Sequence, residues 1–232
     1  MNGSALPRRR APHRTLYTPW FYDSQSAEMT NMYLKGLDRM AHDVALQLLL
    51  SRRSVKPAEM VAPGPGPAEL DTILTAAARV PDHKMLVPWR FVVFEGEARA
   101  RFGAVIAEAC MAEDKMEPSQ TRLDTERSRL LRAPLVIAVI SRARSGVPGA
   151  PEWEQILSAG AACHSLCLAA NTLGYATNWV TEWYSYSPRV TAALGCREGE
   201  RVAGFIYIGT AKAAPPERAR PELAQIVSRW QG

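Results

Sequence analysis

The residues richest in chemistry run from Arg79 to Phe91, RVPDHKMLVPWRF. They place Arg79, His83, Lys84 and Trp89 between the end of an amphipathic helix and the start of an apolar strand. Pro81 and Pro88 bound this loop, and loops held by rigid elements are where ligands bind. Cations beside an aromatic ring suit a polar, planar ligand. A second cluster, Arg52-Arg53-Ser54, offers two guanidiniums and a hydroxyl. That donor set suits a phosphate, which arginine can grip as a fork. The same arginines would equally suit the partial negative charge of a helix C-terminus. Trp179-Val180-Thr181 closes a short strand, and its ring reads either as core or as a surface for a planar ligand. Arg218 and Arg220 stand in the tail, where solvated charge is the simpler reading.

Other chemistries find no support. Cys163 and Cys167 lie four apart on one helix, but no C-x-x-C or H-x-x-x-H accompanies them, so no metal site is expected. No G-x-S-x-G turn supplies a serine nucleophile and no G-x-G-x-x-G a Rossmann phosphate loop. Cys110, Cys163, Cys167 and Cys196 all have apolar neighbours and read as small buried thiols, which suits a reducing, cytoplasmic compartment. The net charge is +5. Residues 1–39 carry six Lys or Arg against three acids, and the remainder carries 22 against 20. A nearly neutral body argues against nucleic acid as a partner. No apolar run approaches the roughly 18 residues of a membrane span.

The elements that must position these residues follow from periodicity. A helix is predicted over about 41–50, ending in the Arg52 cluster. A second is predicted over about 67–79, with Leu70, Ile73, Leu74 and Ala77 on one face. Pro81 takes Val80 out of the helix. Residues 91–94 read as a strand, and a helix follows Gly96. Residues 113–132, densely charged, are expected to form an exposed helical excursion that covers a site. PLVIAVIS at 134–141 reads as a central strand buried on both faces. Residues 152–173 make the longest helix, apolar all round and therefore expected to be buried, either at the centre of the fold or at a subunit interface, with Gly174 ending it. Strands are expected over about 176–181 and 202–209, with a short helix after Ser187-Pro188. PELAQIVSRW at 221–230 is expected to pack as a last segment. Alternating strands and helices predict helices on both sides of one sheet.

Residues 1–39 stand apart. Arg8-Arg9-Arg10 lacks the apolar segment an export signal needs, and Pro7, Pro12 and Pro19 oppose an amphipathic presequence. The stretch reads as a disordered arm or as an over-long gene start, with translation from Met40. Residues 40–232 read as a single domain.

The order of these pieces carries a resemblance. RRS after a first helix, R-x-PDHK-x-x-x-PW before a strand, a long helix of small residues ending at Leu173-Gly174, then WVT and GFIYIGT, together resemble the nitroreductase family. They are especially similar to compact bacterial NAD(P)H nitroreductases over roughly Ala41 to Gly209. The resemblance implies an α+β flavoenzyme, a three-layer α/β/α sandwich with a mixed central sheet, and an intertwined homodimer with FMN at its interface. It implies that Arg52, Arg53 and Ser54 contact FMN and that Arg79 and His83 reach the FMN held chiefly by the partner. Trp179, Val180 and Thr181 would line the cofactor, and Arg220 would approach its phosphate. Ala169, Ala170, Asn171, Thr172, Leu173 and Gly174 match the segment that binds the nicotinamide nucleotide in some relatives. The implied reaction is ping-pong hydride transfer from NADH or NADPH through the flavin to a nitroaromatic or quinone-type acceptor. No side-chain nucleophile is required, and a cation, Arg52 or Lys56, would stabilise the reduced flavin. Dehalogenation or oxidation on the same fold, or FMN binding without catalysis, are the other readings. Two departures stand out. Leu86 and Val87 replace the Asn and Gln common before Pro-Trp, and Val180 replaces a polar residue in WVT.

Overall fold

Apolar side chains alternate along the most buried strands, and that alternation builds two cores on one sheet. The computed structural model describes residues 43–232. The expectations for residues 1–39 and for a start at Met40 lie outside the described residues. The elements run α1 (43–51), β1 (Met60–Val61), α2 (Pro67–Ala77), β2 (Trp89–Phe94), α3 (Glu97–Glu113), α4 (Gln120–Arg127), β3 (Leu135–Ser141), α5 (Glu152–Thr172), β4 (Ala176–Val180), α6 (Pro188–Ala193), β5 (Arg201–Ala211) and α7 (Leu223–Ile226). Leu48 to Gly232 form one compact unit.

All seven residues of β3 are buried. Val136, Ala138 and Ile140 face one core, with Phe205 and Tyr207 of β5. Leu135, Ile137 and Val139 face the other, with Ile206 and Ile208. The first core is closed by Ile106 and Ala109 of α3, Val190 of α6, Leu130 and Tyr184. The second is closed by Ile73 and Ala77 of α2 and by Ala159, Ala162, Cys163, Leu166 and Ala170 of α5. Helices therefore cover both faces of the sheet, as the alternation predicted. The resemblance implied a mixed sheet. Instead the five strands pair antiparallel throughout: β5 with β3, β4 and β1, and β3 with β2. Among the described residues, parallel pairing is confined to one isolated bridge, Ser54 to Thr177.

Three other expectations are corrected. Helix α5 is not buried all round. Its small residues and Leu166 meet the sheet, while Trp153, Ile156 and Leu157 open to solvent, Trp153 at 66%. Residues 113–132 are not a free excursion. Leu123, Glu126 and Leu130 are buried, and the Glu126 carboxylate receives Arg129 at 2.8 Å and Trp183 Nε1 at 3.0 Å. Satisfied charge binds this segment to the body despite its polarity. The segment 221–230 does not pack on the described body: Leu223, Ile226, Val227 and Trp230 are all exposed, Trp230 at 92%.

Candidate functional site

The last turn of α1 delivers Arg52, whose N–H donates to Leu48 O at 2.9 Å. The chain then extends along β4. Val55 N donates to Thr177 O at 3.0 Å, and Asn178 Nδ2 donates to Val55 O at 2.7 Å. These bonds fix the two arginines at the C-terminal end of α5. There the chain stops helical winding at Gly174, whose φ of +88° favours glycine. Tyr175 N returns to Ala170 O at 3.0 Å, and Asn171 Nδ2 donates to Tyr175 O at 2.8 Å.

Arg52, Arg53, Asn171, Gly174 and Tyr175 line one cavity of about 380 Å³, which the tail crosses with Pro215 and Glu217. Arg53 donates to the carbonyl of Pro216, and its Nη1 lies 3.5 Å from Glu217 Oε1. Arg220 Nη2 lies 3.3 Å from the same oxygen and 3.5 Å from Arg52 O. The Arg218 N–H chiefly, with the charges of Arg53 and Arg220, holds the Glu217 carboxyl below the usual range against the opposing effect of burial. Arg53 and Arg220, from two distant segments, thus converge on an anion of the chain's own, with Arg52 beside them.

The DHK loop forms a second centre at the other end of α5. His83 Nδ1 is 2.7 Å from Glu154 Oε2. With Pro81, Leu157, Ser158 and Ala161 this pair lines a cavity of about 370 Å³. The loop is locked from below. Asp82 accepts the N–H groups of Leu86 at 3.0 Å and Val87 at 2.8 Å. Ser158 Oγ donates to Pro81 O at 2.7 Å and accepts Trp89 Nε1 at 3.1 Å. These bonds hold Lys84, Met85 and Val87 at positive φ (62°, 50° and 46°). Such conformations cost of order 1–3 kcal/mol each and gather at ligand sites.

The two centres do not merge within one chain. From Ser158 to Asn171, α5 rises about 1.5 Å per residue, so they stand roughly 20 Å apart. Among the predicted residues, the structure brings Arg52, Arg53, Arg220, Asn171 and Gly174 together and leaves His83 in the other cavity. Arg79 is exposed at the end of α2. Ser54 is exposed, and its backbone pairs with Thr177 rather than lining the cavity. Ala169 and Ala170 face the core, Ala170 fully buried, and Thr172 Oγ1 donates to its own helix at Leu168 O. Leu173 is exposed beside them. Thr181 is exposed just past β4, and Val180 packs on the core face opposite to Trp179. Trp179 is not core. Its ring lies across Gly204 of β5, 41% exposed, with Nε1 donating to Ala203 O at 3.0 Å.

Sequence reasoning missed Glu217, Tyr175 and Glu154. Burial raises the thiol pKa of Cys163, and that of Cys167 to about 11, so neither offers a thiolate. Among the described residues no group of His, Cys, Asp or Glu could hold a metal ion, and no helix is long and apolar enough to cross a membrane.

Comparison with known proteins places this geometry. The nitroreductase family model matches residues 49–210. YdjA of Escherichia coli (strain K12), provisionally named an NAD(P)H nitroreductase, is 39% identical over 166 residues, 72% of this chain and 87% of that protein. A protein of Haemophilus influenzae with the same provisional name is 36% identical over 72% of this chain and 88% of its own length. The nitroreductase-like protein of Bacillus cereus superposes with a TM-score of 0.69 at 21% identity, covering 81% of this chain and 96% of that one. A Bacteroides fragilis nitroreductase with bound FMN superposes at 0.59 and 19% identity, covering 80% and 98%. The family model over residues 49–210 and relatives at 36–39% identity make the chain a member of the nitroreductase family.

Proposed function

We propose that the protein is an FMN-dependent oxidoreductase that takes reducing equivalents from NADH or NADPH and passes them to nitroaromatic or quinone-type acceptors. One observation carries the reading: Arg53 and Arg220 hold one carboxylate between them at a cavity that Arg52 also lines. A donor set that binds one anion from two sides fits the phosphate of FMN, which arginine recognises better than lysine. Bound there, FMN supplies the hydride chemistry, and the protein supplies position and charge.

The chain's residues then have separable tasks. Arg52, Arg53 and Arg220 bind the phosphate end. Trp179, tethered by Ala203 O and laid flat over Gly204, offers an apolar face to a planar ring system. Lys56, its side chain 82% exposed and paired at 4.0 Å with the exposed Glu59, can swing a cation to the ring edge. His83, held through Nδ1 by Glu154, keeps Nε2 for a ligand. Because His83 and Arg53 lie at opposite ends of α5, both can reach one cofactor only when a second copy brings its DHK loop to the first copy's arginines. The open apolar face of Trp153, Ile156 and Leu157 supports such a homodimer.

The test is a spectrum. The purified full chain is expected to be yellow, with a flavin band near one equivalent per chain that bleaches when NADH or NADPH is added without oxygen and returns with a quinone. A colourless protein that takes up no added FMN overturns the reading.

A further inference from the structure

The carboxylate of Glu217 sits where the proposed function requires a phosphate. It reaches Arg53 at 3.5 Å and Arg220 at 3.3 Å with a single oxygen, so the two guanidiniums share one internal anion. Removing that carboxylate need not dismantle the strap that carries it. Arg53 also donates to Pro216 O, and Arg220 to Arg52 O, both backbone acceptors. Arg218 N donates to Glu217 at 2.9 Å, a bond a neutral amide oxygen can also accept. Glu217 is itself 66% exposed, so it can swing into water when displaced.

We propose that Glu217 is a built-in competitor for the flavin phosphate: it occupies the Arg53–Arg220 pair in the free protein and must yield when a phosphate dianion enters. This inference rests on the flavin reading and deepens it. It makes Glu217 the residue that sets how strongly the protein prefers FMN to riboflavin. Both ligands share the ring system, and only FMN carries the group that meets Glu217. The carboxylate lowers affinity for FMN in two ways, by pairing with the arginines and by repelling the incoming charge. It has no such effect on riboflavin. The physical benefit is exchange: a cofactor site with an internal counter-anion does not leave the Arg53 and Arg220 guanidiniums uncompensated.

The experiment titrates flavin-free full chain with FMN and with riboflavin, following quenching of flavin fluorescence, for wild type and Glu217→Gln. The exchange keeps size and the acceptor for Arg218 and removes only the charge. Exposed ion pairs are individually weak, so a gain of about threefold to tenfold in FMN affinity is expected, shrinking as salt is raised. Riboflavin affinity is expected to stay the same. Weaker FMN binding by the variant would mean that Glu217 organises the arginines instead of competing, and would overturn the inference. So would an equal change for both flavins, or no change for either. If wild type and variant bind neither flavin, the flavin reading falls and this inference with it. FMN binding that the variant leaves untightened removes the inference alone.

Discussion

Glu182 shows how a single charged residue is made to stabilise this fold. It follows β4 and turns into the body, where Arg132 Nη2 meets it at 2.5 Å, Arg129 Nη1 at 3.1 Å and the Tyr184 hydroxyl at 2.8 Å. Tyr207 extends the network to Arg132 at 2.9 Å and Tyr184 at 2.9 Å. Burial pushes the Glu182 pKa up, but the hydrogen bonds and charges of Arg132, Tyr184 and Arg129 outweigh it and the net shift is downward. A carboxyl whose folded pKa is depressed adds stability above its unfolded pKa, and that contribution is lost as pH falls through the folded value. Glu182→Gln is therefore expected to lower stability by roughly 2 kcal/mol at pH 7, less than the about 3–5 kcal/mol for a fully buried pair. The partial discount follows from the 29% exposure of the Glu182 side chain. Urea midpoints measured from pH 7 downward should begin to approach each other below about pH 4.3, the unfolded glutamate value, and the gap should close only as pH passes the lower folded value. A gap that stays constant through the acid range would refute the charge argument. None of this network was visible in the sequence, where Arg129, Arg132 and Glu182 are three among many charges. The basic residues Arg52, Arg53 and His83 were legible because their type is rare beside rigid loops. Their partners Glu217 and Glu154 were not, because pairs 164 and 71 residues apart leave no local signal.

At the scale of elements, legibility tracked periodicity. The strands β3 and β5 and the helices α2 and α5 declared themselves because every second residue, or every third and fourth, must be apolar to fill two cores on one sheet. Strand β1 did not, since two residues paired with Thr210 and Ala211 carry no period. Why α5 left its place open, at the centre of the fold or at a subunit interface, has a physical cause. Composition counts apolar residues but cannot say whether the surface they face belongs to the same chain. The helical pair α3 and α4 was misjudged for the opposite reason, since its interface depends on absence of a side chain. Gly103 on α3 lies against Arg127 of α4 so closely that an added Cβ would stand 2.0 Å from the Arg127 carbonyl oxygen. Alanine ordinarily strengthens a helix by about 1 kcal/mol over glycine. Here the neighbour is backbone and has no rotamer in which to escape. Gly103→Ala is expected to force the helices apart and destabilise by about 1–3 kcal/mol. Equilibrium urea unfolding decides it: a variant as stable as wild type, or more so, would mean that α4 yields freely and that the close approach is unimportant.

For the whole molecule, the unanswered question in a single chain is what covers its exposed apolar surface. Trp153, Ile156 and Leu157 form one stripe on α5, and Leu223, Ile226, Val227 and Trp230 supply a second apolar set in the tail. Patches of this kind on a soluble chain mark association. The proposed flavin site would call for the same thing, because there His83 could join Arg53 only from another copy. In a two-fold dimer each surface residue is used twice. Burying one isoleucine contributes about 1.5–3 kcal/mol, so two copies of Ile156 contribute about 3–6 kcal/mol. Placing a carboxylate there adds an unpaired buried charge to that loss. Ile156→Glu is thus expected to weaken association at least a hundredfold, since about 1.4 kcal/mol is a factor of ten. Ile156 lies on the solvent side of α5, so each protomer's own two cores are untouched. Sedimentation should then find wild type as a dimer and the variant as a monomer with unchanged far-ultraviolet circular dichroism. Flavin retention is expected to fall together with the dimer, because each cofactor site loses the half that the other copy provides. A variant that becomes monomeric yet keeps its full complement of flavin would show that one chain suffices for binding, and would leave His83 without a cofactor to reach.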